Sequence, residues 1–156
     1  MKIKYALVIA VAAVLTAVFV AAAGRDAAKQ RVAITMKDLP NGTFVLTPLQ
    51  AGAIKRDSGK TSVVIGDPTP AVRDGQSYEI YELTWTLKGR LGTLTFRERN
   101  DWLDTGDAFI GTGTWKLVKG TGAYARISGS GRSAAVGHDR GNGAWFTRWE
   151  GFLSPR

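Results

Sequence analysis

The chain has 156 residues, 44% hydrophobic and 22% charged, which fits one globular domain able to bury about two-thirds of its unfolded surface. It has no cysteine, and that excludes a disulfide framework, a thiolate metal site and a lipid-modified N-terminal cysteine. The formal charge of +8 comes from basic residues in runs no longer than two, such as Lys55-Arg56. Dispersed charge of this kind predicts a solvated basic surface and argues against nucleic-acid binding.

Residues 1–23 read as a secretory signal. Lys2 and Lys4 make a positive head, Tyr5 to Ala23 is an uncharged apolar stretch, and Ala21-Ala22-Ala23 supplies the small residues a signal peptidase reads. Cleavage is expected after Ala23, which places the protein outside the cytoplasmic membrane. The competing reading is an uncleaved anchor, since nineteen apolar residues can just span a bilayer. In that case this segment is the chain's membrane contact. A chain beginning at Gly24 loses Lys2 and Lys4 and carries +6. Residues 24–30 are small and polar and read as a short tether or one frayed helical turn.

From Arg31 the pattern becomes β. Residues 31–37 alternate partly, and 43–47 and 61–65 are short runs rich in β-branched residues. Pro40-Asn41-Gly42, Asp57-Ser58-Gly59 and Gly66-Asp67-Pro68 read as turns or strand stops. Residues 78–87 place Tyr81, Leu83, Trp85 and Leu87 on one face and Glu82, Thr84 and Thr86 on the other. Residues 93–99 set Leu94 and Phe96 against Thr93, Thr95, Arg97 and Arg99. Residues 112–118 put Trp115 and Leu117 on one face. Residues 128–136 are small and glycine-bearing. Residues 144–153 place Trp145, Thr147 and Trp149 opposite Phe146, Arg148, Glu150 and Phe152. Asn142-Gly143 is a tight-hairpin signal.

No segment after residue 30 sustains a helical apolar stripe. Seven to nine short strands at this spacing point to a sandwich or a closed barrel, and the expectation is an all-β domain over 31–156 that forms a small closed antiparallel β-barrel of about eight strands. Closure removes edge strands, and glycines inside strands let a barrel bend. Eleven of the nineteen glycines lie between Gly106 and Gly151.

The most distinctive stretch runs from Gly111 to Gly131, GTGTWKLVKGTGAYARISGSG. Its Gly120 and Gly122 allow a left-handed corner, and Tyr124 in the short turn that follows is placed to plug a barrel end. The stretch resembles an element of the allene oxide cyclase-like and dirigent-like barrels. It is closer still to small exported bacterial proteins of unknown function with a GTGTW…GTGAYA…GxG core and a W/Y-E-G-x-L ending, here Trp149-Glu150-Gly151-Phe152-Leu153. The resemblance covers most of 42–153 and implies a barrel. None of those families' acid or base residues matches a position here, so it implies no catalytic residue.

His138, the one histidine, sits in a Gly- and Asn-rich segment that reads as an exposed hairpin tip, without the partner a catalytic base needs. Asp101, Asp104 and Asp107 lack the alternating spacing of a calcium loop and read as an exposed connection between strands. Glu82, Glu98 and Glu150 lie within strands, where an inward carboxyl would be a buried acid with a raised pKa. Glu150 is the foremost of the three because it stands in the family-like ending. Trp85, Trp115, Tyr124, Trp145 and Trp149, with Glu82 and Glu150, are the candidate pocket-lining set. Barrels of this size either fill their interior or leave one small cavity. No catalytic residue, metal ligand or cofactor is assigned. The functional expectation is an exported barrel that binds a small hydrophobic ligand or an extracellular partner without catalysis. The alternatives are an isomerase or cyclase acting on a confined apolar intermediate, and a structural or assembly protein.

Overall fold

The computed structural model describes residues 29–38, 42–137 and 145–156. They form nine strands: β1 (Gln30–Lys37), β2 (Thr43–Pro48), β3 (Asp57–Ile65), β4 (Thr69–Arg73), β5 (Gln76–Gly89), β6 (Thr93–Asp104), β7 (Phe109–Gly120), β8 (Ile127–Gly137) and β9 (Trp145–Pro155). Every pairing is antiparallel, in the order β3-β2-β1-β9-β8-β7-β6-β5-β4. Gly59 to Ile65 of β3 also pair with Leu83 to Gly89 of β5, which closes eight strands into a barrel and leaves β4 outside the ring. The 14-residue β5 serves both neighbours, giving its first residues to β4 and its last to β3. Closure satisfies the backbone groups that an open sheet would leave as two edges.

Side chains alternate in and out along the long strands as the period of two requires. Val32, Ile34 and Met36 of β1, Leu83, Trp85 and Leu87 of β5, and Leu94 and Phe96 of β6 are buried, while Arg97, Arg99, Lys116 and Arg148 between inward positions are exposed. On β8 and β9 the backbones come close: Gly131 pairs with Gly151, and a Cβ on Gly131 would collide with the Glu150 carbonyl and Gly151 Cα.

Several turn expectations changed. Asp57-Ser58-Gly59 opens β3 instead of ending a strand, because the Asp57 side chain is used inside the fold. The stop at Gly66-Asp67-Pro68 holds for β3, but β4 follows it at once along the same partner strand. Asp101 and Asp104 belong to β6, and the turn to β7 is confined to 105–108. Gln30 is the first residue of β1, not tether. It is buried, and its amide donates to the Gln50 and Ile54 carbonyls and accepts from the Ile54 N–H. Gly122 is left-handed at φ 59°, whereas Gly120 is not among the positive-φ residues. Residues 1–23, read above as a signal, and Asn142-Gly143 and His138 lie outside the described residues.

One end of the barrel is sealed by a 3-10 turn, Gly122–Tyr124, between β7 and β8. Tyr124 is 2% exposed and its hydroxyl donates to Asp57 Oδ2 at 2.9 Å. Asp57 also accepts the backbone N–H groups of Ser58 at 2.8 Å, Arg90 at 3.0 Å and Leu91 at 3.3 Å. This one carboxylate therefore ties β3, the β5–β6 hairpin and the plug together. Asp57→Ala should lower stability by about 2–4 kcal/mol and Tyr124→Phe by about 1 kcal/mol, since hydrogen bonds to charged groups exceed neutral ones and orphaned donors add a penalty. Urea unfolding of both single variants and the double variant checks this, with less than additive losses expected for two groups in one network.

Candidate functional site

The inward row of β6 builds the site. Phe96, Glu98, Asn100 and Trp102 follow one another at period two, and the strands across the barrel meet them in two aromatic layers. In the lower layer the Trp149 ring lies 5.0 Å from Trp85 and 5.2 Å from Phe96, both edge-on, and Phe96 lies 5.5 Å from Trp115. Such aromatic pairs each add about 0.5–1.5 kcal/mol beyond their burial. In the upper layer Trp145 meets Trp102 edge-on at 5.1 Å and stacks on Phe109 at 6.4 Å.

Between the upper layer and β3 and β5 is a cavity of about 310 Å³. Val63 and Ile65 of β3, Glu79, Tyr81, Leu83 and Trp85 of β5, and Glu98, Asn100 and Trp102 of β6 form most of its wall. Phe109, Trp145 and Thr147 complete it. The interior is thus packed from Tyr124 up to the Glu98 level and hollow above it.

Glu98 is 1% exposed and lies at the boundary. Its Oε2 accepts the indole N–H of Trp85 at 2.6 Å and of Trp149 at 3.0 Å, and its Oε1 accepts Asn100 Nδ2 at 2.8 Å. Burial pushes its carboxyl above the ordinary value of 4.5, against the nearby Ser133 hydroxyl and the hydrogen bonds from Trp149, Trp85 and Asn100, which favour the charged form. The buried Ser133 hydroxyl and Asn100 Oδ1 have no hydrogen-bond partner among the described residues. A carboxylate offers about four lone-pair positions, and these three N–H donors leave capacity on Oε1. At the mouth, Tyr81 donates its hydroxyl to Glu79 at 2.7 Å, and burial together with that carboxylate pushes the phenol up to about 12.

No protein-family model, curated protein or solved structure matches the chain. The chemistry of the site has to be read from its own residues.

Of the residues singled out from the sequence, Trp85 and Trp145 line the cavity. Trp149 is fully buried beneath it, and its indole N–H reaches Glu98. Trp115 lies in the packed half, where its N–H reaches the Glu150 carbonyl at 3.3 Å, and Tyr124 seals the far end. Glu82 and Glu150 do not line the cavity. Glu82 is 69% exposed on the outer face, 4.0 Å from Arg99. Glu150 faces outward between Arg148 at 2.6 Å and Arg31 at 2.9 Å, and their hydrogen bonds hold its carboxyl below the usual range. The inward carboxyl is Glu98. Its position was readable, because it is in phase with Leu94 and Phe96, whereas Glu82 is in phase with Thr84 and Glu150 with Phe152. Trp102 and Phe109 were missed because the polar residues between them read as a loop.

The Glu98 equilibrium couples to folding. Its value in the fold lies above that of the unfolded chain, so its contribution to stability is complete below about pH 4.5 and is lost as pH rises through the folded-state value. Glu98→Gln removes that dependence, and an amide there can donate to the unpaired Asn100 Oδ1 after the Asn100 side chain turns over. Urea midpoints from about pH 4 to about pH 8 should show the wild-type protein losing stability relative to Glu98→Gln as pH rises.

Proposed function

We propose that the protein is an exported barrel that binds one small, largely apolar molecule in the cavity above Glu98, without a metal or cofactor. The observation that carries the reading is the cavity itself. A packed interior elsewhere leaves few voids larger than a water, whereas this space of about 310 Å³ is ringed by aromatic and aliphatic side chains with a polar group at its floor. Pockets of that size and lining are the usual form of small-molecule sites. Delivery outside the cytoplasmic membrane is supported by the leader-like pattern of residues 1–23.

A second reading is supported by Glu98 specifically. A carboxyl with a raised pKa at the floor of an apolar cavity can exchange a proton with a confined intermediate, as an isomerase or cyclase requires. Under that reading Glu98→Gln abolishes turnover of a bound substrate while occupancy persists. Under the binding reading no bound molecule is converted.

Occupancy is measurable with a neutral apolar fluorophore such as N-phenyl-1-naphthylamine. The probe should brighten on addition of the protein and quench Trp85 and Trp145, which line the space. Val63→Phe, which adds a ring to the half-buried cavity wall, should weaken binding about tenfold, because overpacking costs about 1–3 kcal/mol. Val118→Ser on the outer face should leave it unchanged. A probe that fails to bind, together with no co-purifying small molecule by native mass spectrometry, would overturn the reading.

A further inference from the structure

The cavity wall carries two acidic groups, Glu79 and Glu98, and no basic one. That runs against the composition of the chain, in which 21 Lys and Arg outnumber 13 Asp and Glu. Among the described residues neither carboxyl is in an ion pair. The three donors that hold Glu98 are two indole N–H groups and an amide, all neutral, so they orient its charge without balancing it. A buried carboxylate lacking a counter-charge is costly, and a cation brought in by a ligand removes that cost. The wall favours the same guest. Tyr81, Trp85, Trp102 and Trp145 contribute aromatic rings, whose negative faces attract cations, and attract them more when water is excluded.

We propose that the ligand is an organic cation: an apolar body bearing one protonated amine, whose N–H donates to Glu98 Oε1 at the floor while Glu79 draws positive charge to the mouth. This deepens the binding reading above and rests on it. Carboxylate-bearing amphiphiles such as fatty acids are disfavoured, because they would place like charge beside Glu98 in a low-dielectric site. The net positive charge of the whole chain does not reverse the preference at contact, since exposed charges are screened beyond about 8 Å at physiological salt.

The test is isothermal titration of the full-length protein at neutral pH with three molecules that share one body: 4-phenylbutylamine, 4-phenylbutanol and 4-phenylbutyrate. The amine should bind about tenfold or more tightly than the alcohol, as charge-assisted hydrogen bonds exceed neutral ones, and the carboxylate should bind most weakly. In Glu98→Gln the amine-to-alcohol ratio should fall to about two or three, the share that Glu79 still contributes, with that remainder shrinking at high salt. Glu79→Gln changes an exposed side chain at the mouth and keeps the test available if the buried variant fails to fold. It should lower the ratio about two- to threefold at low salt and less at high salt. An alcohol that binds as tightly as the amine, or a carboxylate that binds more tightly, overturns the cation proposal while the cavity reading stands. Failure of all three to bind overturns both.

Discussion

Two indole N–H groups converge on one carboxylate oxygen inside a closed barrel. Trp85 is on β5 and Trp149 on β9, which stand four places apart in the ring of eight and so face each other across the lumen. Their rings touch at 5.0 Å, and both hydrogen-bond to Glu98 Oε2 from β6. The contact is therefore a brace across the full width of the barrel. Below it Phe96, Trp115 and the aliphatic residues of β1, β2 and β5 fill the space down to Tyr124. Above it the wall rings Trp102, Phe109 and Trp145 pack on one another, and the centre stays open.

The brace depends on small residues elsewhere. The inward positions of β7 and β8 include Gly111, Gly113, Gly131 and Ser133, so large rings from the facing strands have room. A Cβ on Gly111 would press on the Trp102 ring, and one on Gly113 on the Arg99 carbonyl and Ser133 Oγ. Glycine-rich strands and outsized rings are two halves of one packing solution. The same arrangement desolvates Glu98 while giving it only neutral donors. That is why its acidity is weakened even though three N–H groups point at it, and why a guest can complete what the protein leaves unbalanced.

Much of the architecture was legible in the alternation of β5, β6, β7 and β9, since a half-buried strand writes its period of two into the sequence. Phase also carried the inward carboxyl, since Glu98 falls in step with Leu94 and Phe96, but the sequence reading ranked Glu150 first and left Glu98 out of the pocket-lining set. The choice of Glu150 came from its place in a familiar-looking ending, and its phase with Arg148 and Phe152 pointed outward all along. β4 was hidden because Pro68, Pro70 and Gly66 are strand-breaking by composition, and a strand outside the ring tolerates proline. The upper parts of β6 and β7 were hidden for a related reason. Beyond the barrel, β5 and β6 run on beside β4, and Asp101 and Asp104 are accommodated there, one paired with Arg73 at 2.6 Å and the other accepting the Gly106 N–H. Asp57 looked like a turn residue because its four hydrogen-bond donors are distributed over residues up to 67 positions away. Whether the lumen was filled or hollow was not legible either, since both outcomes use the same inward aromatics.

The centre of the molecule is a carboxyl buried between two indoles beneath an open space. Carbon-13 NMR of the Glu98 side-chain carboxyl across a pH titration, with the Trp85 and Trp149 indole N–H resonances followed in the same samples, addresses it most directly. The expected midpoint lies above the ordinary 4.5, with both indole signals moving at the same midpoint. A midpoint at or below that value, or indole resonances indifferent to it, would show that Glu98 is not a buried, indole-held carboxyl.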